Sequence, residues 1–275
     1  MANSGTTAQI RALYIKDCLD LGSIKRIESD MVHDYYLSAD WSKEFYLLQA
    51  ARGFIAVGYT TPSGQDLVLP QFQFSYCLLD FDQIHISSKL KKSLRKLADW
   101  RLRINHDLSG VLQKLNEYHP NSWINDSYRS LIQDLHADGP LVIRDPIENT
   151  EVFFQLCSIE LYDPEHQLVA GELGYVLGGT YTALTGFCER RKNVSFGKVQ
   201  ILALAKTLEK CGFQFMNLGQ PPTDQLMQYK AEIGGIVFSR SDFLCRWKQA
   251  IKAPPPNISR MISFDSSIQD LFLDN

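Results

Sequence analysis

The clearest hydrophobic pattern lies in the second half of the chain, where three apolar segments follow one another. Residues 153–162, 168–177 and 180–184 have the composition and spacing of strands. Residues 163–166 (Asp-Pro-Glu-His) form a turn sequence between the first two segments, and a Gly-Gly pair at 178–179 separates the second from the third. The pattern predicts an antiparallel meander of three strands.

A helical period follows the meander. Four apolar residues share one face of a helix that begins at Ser195 and ends at Gly212: Ile201, Leu204, Ala205 and Leu208. We then expect a strand over residues 213–218 and helices over 225–233 and 241–251, the last capped by Ser241 and stopped by three prolines at 254–256.

This order of meander, helix, strand and helix indicates the α+β class, and it is the order of an N-acetyltransferase-like (GNAT-like) lobe. Upstream, a helix over residues 42–52 and extended segments on either side of a turn at 60–64 predict a small α+β lobe. We therefore expect a small N-terminal lobe over 1–80, a GNAT-like domain over 81–253 and a C-terminal tail over 254–275.

Just after the predicted N-terminal lobe, an amphipathic helix carries a basic face. Leu90, Leu94 and Leu97 recur at helical spacing, with Ser87 or Ser88 as the N-cap. Five basic residues occupy other positions, without an acid before Asp99: Lys89, Lys91, Lys92, Arg95 and Lys96. This stripe is either a solvated helix face or a surface that contacts phosphates.

Composition narrows the class of protein. The chain has 275 residues, 45% of them hydrophobic and 21% charged, which is typical of folded globular proteins and excludes a largely disordered one. Its 28 basic and 31 acidic residues exclude a protein that coats DNA through its overall charge. Because the chain lacks a membrane-length apolar stretch, a signal peptide and any CxxC pair, we expect a cytoplasmic protein with neither membrane nor DNA as partner.

Several enzyme classes lack their signatures in this sequence. HExxH, the nucleophile elbow, the Walker loop and GxGxxG are all missing. His85 and His136 have no partner ligand at metal spacing, so we expect no metal site. A CoA-dependent enzyme of the predicted fold would need a glycine-rich loop for the pyrophosphate, and residues 190–198 offer one glycine. This disfavours a CoA enzyme.

Several short motifs occur in the order and spacing seen in the leucyl/phenylalanyl-tRNA–protein transferases, over roughly residues 45–250. The chain resembles this family, and the motifs are His85-Ile86-Ser87 with the basic helix, Ser122-Trp123-Ile124, Ser158-Ile159-Glu160, Leu168-Val169-Ala170-Gly171, the Gly178-Gly179 hairpin, Asn193-Val194-Ser195, and Ile233-Gly234 to Asp242-Phe243-Leu244.

The resemblance implies an aminoacyltransferase that moves Leu, Phe or a related amino acid from tRNA to the N-terminus of an acceptor protein, in an N-end-rule degradation pathway. The family's acceptors begin with Lys or Arg. An amine attacking an activated ester needs mainly positioning and stabilisation of the oxyanion, so no cofactor is expected. The implied partners are aminoacyl-tRNA and the acceptor N-terminus.

The resemblance also assigns binding residues. The five basic residues of the helix would hold the tRNA acceptor stem through its phosphates. Trp123 matches a family tryptophan near the terminal adenosine, where it would stack on the base, although core packing explains it equally well. Leu173, Thr182 and Phe187 align with the family's pocket for the apolar aminoacyl side chain.

The chain departs from the family at its catalytic motifs. Thr185 stands where the family has a carboxylate that binds the acceptor's basic residue, and a hydroxyl cannot replace that charge. Asn217 replaces the aspartate assigned to activate the amine, and an amide cannot act as a general base. Gln220 matches a family glutamine with a shift of one residue, and about five extra residues follow near 221–225.

Three functions remain open. The protein transfers an amino acid, with the tRNA ribose hydroxyl, Asn217 and Gln220 orienting the reactants; or it binds tRNA without catalysis; or, less favoured, it is a CoA-dependent acyltransferase. Glu160, Glu172 and Asp224 are acids that could replace the lost carboxylates.

Charge reversal tests the role of the basic helix. We expect the triple variant Lys91→Glu, Lys92→Glu and Arg95→Glu to lose tRNA retention on a filter at physiological salt, because these side chains would contact phosphates. Circular dichroism should show an unchanged fold. Unchanged tRNA retention would remove the assigned role.

Overall fold

The computed structural model describes residues 10–120, 122–189, 194–254, 256–257, 261 and 264–272. Most of the basic junction before the long helix, residues 190–193, lies outside the described residues. The first elements are β1 (Arg11–Ala12), α1 (Ile15–Leu19), α2 (Leu21–Ser29), β2 (Tyr36–Leu37), α3 (Lys43–Ala51), β3 (Ile55–Thr60), β4 (Asp66–Gln71), β5 (Ser75–Asp80), a 3₁₀ turn (Phe81–Gln83), α4 (Ser88–Lys96), β6 (Arg101–Ile104), α5 (Leu108–Tyr118) and α6 (Asp126–Asp138). They are followed by β7 (Leu141–Asp145), β8 (Thr150–Tyr162), β9 (Leu168–Leu177), β10 (Thr180–Cys188), α7 (Phe196–Cys211), β11 (Phe215–Asn217), α8 (Tyr229–Glu232), β12 (Ile236–Ser239), α9 (Arg240–Ala250), β13 (Asp265–Ser267) and α10 (Ile268–Phe272).

Nine strands form one sheet, in the order β12-β5-β11-β10-β9-β8-β6-β13, and β7 pairs with β8 beside this path. The pair β10 and β11 is parallel, and the other pairs in this sheet are antiparallel. A parallel pair needs a crossover connection, and α7 supplies it. The mixture of helices with a mostly antiparallel sheet confirms the α+β class.

The two faces of the sheet bury separate hydrophobic cores. One core joins alternate residues of β8, β9 and β11 to helices α3, α5, α6 and α9. The other joins the intervening residues to α4, α7 and α10. Side chains of a strand alternate between faces, so neighbours such as Phe215 and Met216 enter different cores.

The local patterns predicted most elements correctly. The meander is present as β8, β9 and β10, although β10 runs to Cys188 rather than to residue 184. Ser42 caps α3 by accepting a hydrogen bond from Phe45 N at 3.2 Å, and Gly53 follows that helix with φ of +89°. Gly212, also at φ +89°, ends α7 as expected for a left-handed C-terminal residue.

Three predictions about the C-terminal part are corrected. Residues 264–272 do not form a tail, because β13 pairs with β6 and α10 buries Ile268 and Leu271. The helix predicted over 225–233 is only Tyr229–Glu232, because Asp224 accepts a hydrogen bond from Met227 N in a turn before it. Ser239, not Ser241, caps α9 by accepting from Asp242 N at 3.2 Å.

The sheet also includes residues from the predicted N-terminal lobe. Strand β5 ends at Asp80 and is hydrogen-bonded between β11 and β12. The predicted domain boundary at residue 80 therefore separates β5 from the sheet to which it is hydrogen-bonded. The local pattern does not reveal this pairing, because the paired strands are far apart along the chain. The hairpin of β3 and β4 forms a separate two-stranded sheet.

A buried ion pair ties α3 to the end of β7. The Arg52 guanidinium donates to both carboxylate oxygens of Asp145 at 2.5 and 2.6 Å, and Arg52 Nε donates to the Cys18 carbonyl. Burial alone would raise the pKa of Asp145, but the hydrogen bonds and charge of Arg52 hold it below its usual value. Backbone amides of Ile147 and Glu148 also donate to Asp145.

Removing one partner should be more harmful than removing both. We expect Arg52→Met to lower the free energy of unfolding in urea by about 3–5 kcal/mol, because it leaves a buried carboxylate unpaired. Arg52→Met with Asp145→Leu should recover part of this loss. Lys43→Met, which breaks the half-exposed pair with Asp138, is the control and should cost less than about 1 kcal/mol. Equal losses for Arg52→Met and Lys43→Met would contradict this assignment.

Candidate functional site

Helix α4 presents its basic residues to solvent. Leu90, Ser93 and Leu94 are buried, whereas the five cationic side chains are exposed: Lys89, Lys91, Lys92, Arg95 and Lys96. Ser87 caps the helix by accepting from Leu90 N at 3.3 Å. In the part of the chain that the structure describes, none of the five cations has an ion-pair partner, so their charges are available to a polyanion.

Strands β10 and β11 diverge soon after they begin. They pair only over Thr180–Thr182 and Phe215–Asn217. A β-bulge between Ala183 and Thr185 then interrupts the register of β10 against β9, which bends a strand. Beyond it, β10 continues to Cys188 while the chain after β11 turns away at Gly219, which has φ of +71°.

A cavity of about 660 Å³ lies near the end of β10. Its walls come from the start of α4, the end of β10, the start of α7 and the end of α8, and the lining residues are His85, Ser87, Lys89, Leu90, Ser93, Cys188, Glu189, Val194, Ser195, Phe196, Lys198, Glu232 and Ile233. Lys89 thus belongs both to the basic helix and to the cavity wall. The volume is in the range of pockets that hold a small organic molecule.

The first turn of α7 adds to the positive potential at this cavity. The helix is 16 residues long, and the Ser195 side chain makes no capping hydrogen bond. The amino end of a helix carries a partial positive charge and unpaired N–H groups. Lys198 lies in the same turn and pairs with Glu232 across the cavity. Leu90, Val194 and Phe196 supply apolar surface.

A buried carboxylate lies on the same face of the sheet as this cavity. Glu172 of β9 is opposite Gly186 in β10, two residues before the cavity-lining Cys188. Its Oε1 accepts a hydrogen bond from the Tyr181 hydroxyl at 2.9 Å. The Tyr181 ring needs Gly174, because a Cβ there would lie 2.1 Å from the hydroxyl oxygen. Burial raises the pKa of Glu172 to about 7.

Lys230 of α8 is a buried charged residue that interacts with Glu172 and that the sequence did not single out. Its ammonium donates to the carbonyls of Leu218 and Gln220 at 2.8 Å each. Burial lowers its pKa, and the carboxylates of Glu172 and Asp224 oppose that shift. Lys230 therefore fixes the loop after β11 against α8, whose end lines the cavity.

The residues predicted to be catalytic do not meet in the cavity. Asn217 is 1% exposed, and its Oδ1 accepts from Gly219 N at 2.9 Å, so its amide shapes the turn. Gln220 Nε2 donates to Gln71 Oε1 at 3.4 Å, and neither residue lines the cavity. Thr185 is half-buried beside the bulge and pairs with Leu173. Their catalytic roles stay predictions.

The residues predicted to bind substrate share one face of the sheet, opposite the cavity face. Leu173 and Thr182 are fully buried and Phe187 is 5% exposed, so a substrate would reach them only after this core opened. Trp123 is half-buried and packs edge-on against Tyr128, with ring centroids 4.9 Å apart. This contact is the one expected if Trp123 serves in core packing. The roles of Leu173, Thr182, Phe187 and Trp123 in substrate binding stay predictions.

The structure also locates the acids that could replace the lost carboxylates. Glu160 is buried on the face opposite the cavity, where it accepts hydrogen bonds from the Ser158 hydroxyl at 2.6 Å and from two backbone amides. Asp224 is exposed in the loop before α8. Glu172 alone among these three shares the face of the cavity.

The cavity walls were not predicted from the sequence. Cys188, Val194, Phe196 and Ile233 are separated along the chain and have ordinary hydrophobic surroundings. Two features of the sequence pointed to parts of this cavity. The Ser87 cap places Lys89 at the start of a helix, and Ser195 marks the start of the long helix. Only the packing of α4, α7 and α8 brings these signals together.

Fold and site together define an α+β protein with a cavity bordered by a helix of unpaired cations, which is the character of a protein that holds one end of a polyanion. A family model described as leucyl/phenylalanyl-tRNA protein transferase matches residues 78–248. The chain belongs to this family of aminoacyltransferases, which confirms the resemblance drawn from its motifs.

Relatives in the family are distant. The leucyl/phenylalanyl-tRNA–protein transferase of Roseobacter denitrificans is 27% identical over 170 residues, covering 62% of this chain and 69% of that protein. The transferase of Psychrobacter cryohalolentis is 30% identical, covering 56% and 54%. Among solved structures, L-PGS from Bacillus licheniformis has a TM-score of 0.34 and 12% identity, covering 67% of this chain and 52% of that one.

Within the described ranges, His, Cys, Asp and Glu side chains form no group of three that could hold a metal ion. No helix in that part of the chain is long and apolar enough to cross a bilayer.

Glu172 should make stability depend on pH. Its pKa is about 7 in the fold and about 4.3 in an unfolded chain, so the folded state binds the extra proton between these values. Stability should therefore fall as pH rises from about 4.5 to 7, by about 3 kcal/mol for this group. Glu172→Gln keeps an acceptor for Tyr181 and should remove the contribution of Glu172 to this pH dependence. The measurement is the free energy of unfolding in urea at pH 5 and at pH 8. An unchanged pH slope would contradict the assignment.

Proposed function

We propose that the protein transfers an amino acid, Leu, Phe or a related one, from aminoacyl-tRNA to the N-terminus of an acceptor protein. The cavity beside α4 would receive the aminoacyl end of the tRNA. The observation that carries this proposal is the position of Lys89, which joins the unpaired basic stripe to the cavity wall. A tRNA stem held on the stripe would enter the cavity with its 3′ end.

The basic helix would supply affinity rather than sequence recognition. Lys91, Lys92, Arg95 and Lys96 lie on the surface of α4 beyond the cavity, where they can contact successive phosphates. Such contacts release counterions, so binding would weaken steeply with salt. The amino end of α7 would favour a phosphate or an ester oxygen at the cavity.

The cavity has the mixed lining that an esterified amino acid needs. Leu90, Val194, Phe196 and Ile233 can contact an apolar aminoacyl side chain and the nucleoside. Glu232 lies beside them, and its exposed carboxylate, which pairs with Lys198, can exchange that partner for the ammonium group of the acceptor. Opposite charges for donor and acceptor thus meet in one cavity.

The proton that leaves the attacking amine needs an acceptor. Glu172 is a buried carboxylate on the cavity face, and a pKa near 7 suits a group that takes up a proton at neutral pH. We propose that Glu172 receives this proton through intervening groups and that the tRNA ribose hydroxyl orients the reactants. The orienting roles of Asn217 and Gln220 stay predictions from the family motif, because neither side chain lines the cavity. The proposal also keeps the roles that the family motif suggests for two residues: Thr185 would contact the acceptor, and Trp123 would stack on the terminal adenosine.

Broader features belong to this proposal as well. The order of β8 to β10, α7, β11 and the helices after it supports a GNAT-like transferase unit within residues 81–253. A cytoplasmic location and a role in an N-end-rule pathway follow from the family. We propose no cofactor, no metal and no DNA partner.

A CoA-dependent acyltransferase is the second candidate, and one observation favours it. The cavity lies at the amino end of α7, where a pyrophosphate would be stabilised by the helix. Lys89, which lines the cavity, could also serve a CoA phosphate. The long basic stripe on α4 has no role in that reaction, so we rank it second.

Filling the cavity tests the proposed transfer. Ser195→Trp should lower the extension of Lys- or Arg-initiated peptides by Leu-tRNA or Phe-tRNA at least tenfold, because the indole would occupy the space of the aminoacyl end. Ser195→Ala is the matched control, since the Ser195 side chain makes no capping hydrogen bond, and it should keep full extension. The measurement is the mass of the extended peptide over time.

The outcome separates the candidate functions. No extension by the wild-type protein, together with tRNA binding, would show a binding protein without catalysis. A rise in melting temperature with acetyl-CoA, without tRNA binding, would favour the CoA enzyme. Equal extension by Ser195→Trp and the wild type would place the transfer outside this cavity.

A further inference from the structure

Strand β12 is an exposed apolar strand at one end of the nine-stranded sheet. It pairs with β5 on one side and is the terminal strand in the described order. Ile236 is 43% exposed and Val237 is 49% exposed, so side chains on both faces of the strand reach solvent. An edge strand of this kind, without lysine or proline, is a ready template for another strand.

The hydrogen-bond pattern shows which backbone groups face outward. Just after β12, Arg240 N donates to Phe74 O at 2.9 Å, so residues 240 and 74 form a hydrogen-bonded pair. Hydrogen-bonded and non-bonded pairs alternate along antiparallel strands, and the pair of Val237 with Cys77, three residues away, is therefore a non-bonded one. In agreement, Cys77 N donates to Gly219 O at 2.8 Å on the edge of β5 that faces away from β12. The N–H and C=O of Val237 therefore point away from β5, and those of Ser239 do so too.

The free edge begins beside the cavity. Glu232 and Ile233 line the cavity, and only Gly234 and Gly235 separate them from β12. Gly234, with φ of +106°, packs against the carbonyl of Gln83, where a Cβ would clash. The chain thus leads from the cavity wall directly into the edge strand, and Val237 is four residues, about 13 Å of extended chain, from Ile233.

We infer that the N-terminal segment of the acceptor protein docks as an added strand on β12, parallel to it, with its amine in the cavity. This inference rests on the proposed function. Parallel addition is required, because β12 runs away from the cavity and the acceptor must run away from its own N-terminus. Backbone pairing of this kind accepts many sequences.

Charge supports a peptide amine as the occupant. Glu232 lies where β12 leaves the cavity, and its side chain is 57% exposed although it pairs with Lys198. An exposed ion pair of this kind is weak, so a carboxylate in it can exchange its partner. An ammonium group arriving along β12 would meet this carboxylate first and could take the place of Lys198.

Proline at an outward-facing position removes one docking hydrogen bond. Val237→Pro should raise the KM of a hexapeptide acceptor about three- to tenfold, because one backbone bond to the peptide is lost. The KM for aminoacyl-tRNA and the extension of a dipeptide, too short to reach Val237, should not change. Proline is tolerated on an edge strand when its nitrogen faces solvent.

Two variants serve as controls. Val237→Ala keeps the N–H and should raise the hexapeptide KM less than Val237→Pro does. Val142→Pro changes an exposed residue of β7 that lies opposite Phe153 of β8. The Phe153 carbonyl accepts a hydrogen bond from Gly178 N, on the side of β8 that faces away from β7. The N–H of Val142 therefore also faces outward, but it is away from the cavity, so the hexapeptide KM should stay at the wild-type value.

Peptide chemistry gives a second test on the unaltered protein. Hexapeptides with an N-methyl group on residue 4 or on residue 5 should differ in KM, because alternate amides of an added strand face β12. Equal KM values for these two peptides, or an unchanged hexapeptide KM for a folded Val237→Pro, would overturn the docking inference. Absence of dipeptide extension by the wild type would instead overturn the proposed transfer itself.

Discussion

The functional region depends on the short parallel pairing of β10 with β11. A parallel pair cannot be closed by a tight turn, so α7 must cross the sheet, and it begins near the far end of β10. The strands stay together for three residues and then diverge. The cavity lies at the end of β10 that diverges, and the amino end of α7 and the end of α8 form its walls.

Charge is unevenly distributed around the cavity. Among the described residues, the cations of α4 have no ion-pair partner, and Lys89 borders the cavity on one side, whereas Glu232, paired with Lys198, lies on the side of β12. The net charge of the chain is −3, so this separation is local and would be invisible in the overall balance. In the proposed transfer, the tRNA and the acceptor amine would therefore approach the cavity over different surfaces.

Motif alignment and packing give different pictures of the site. The family motif assigned Leu173, Thr182 and Asn217, and these residues pack in the core on the face opposite the cavity. The sequence offers no means to detect this, because alternation in a strand shows that two residues face opposite ways but not which face is covered. Glu172, one position from Leu173, faces the cavity side instead, and its neighbour Tyr181 holds it.

The sequence by itself determined the local elements and the basic face. Leu90, Leu94 and Leu97 fixed the orientation of α4, Gly53 and Gly212 ended their helices, and the turn at 163–166 closed the meander, because each depends on neighbours along the chain. Tertiary structure alone decided that β5 and β13 join the sheet, that α4 meets α7 around a cavity, and that β12 lies exposed at the edge. These features depend on pairing between distant segments, for which a single sequence carries no local physical signal.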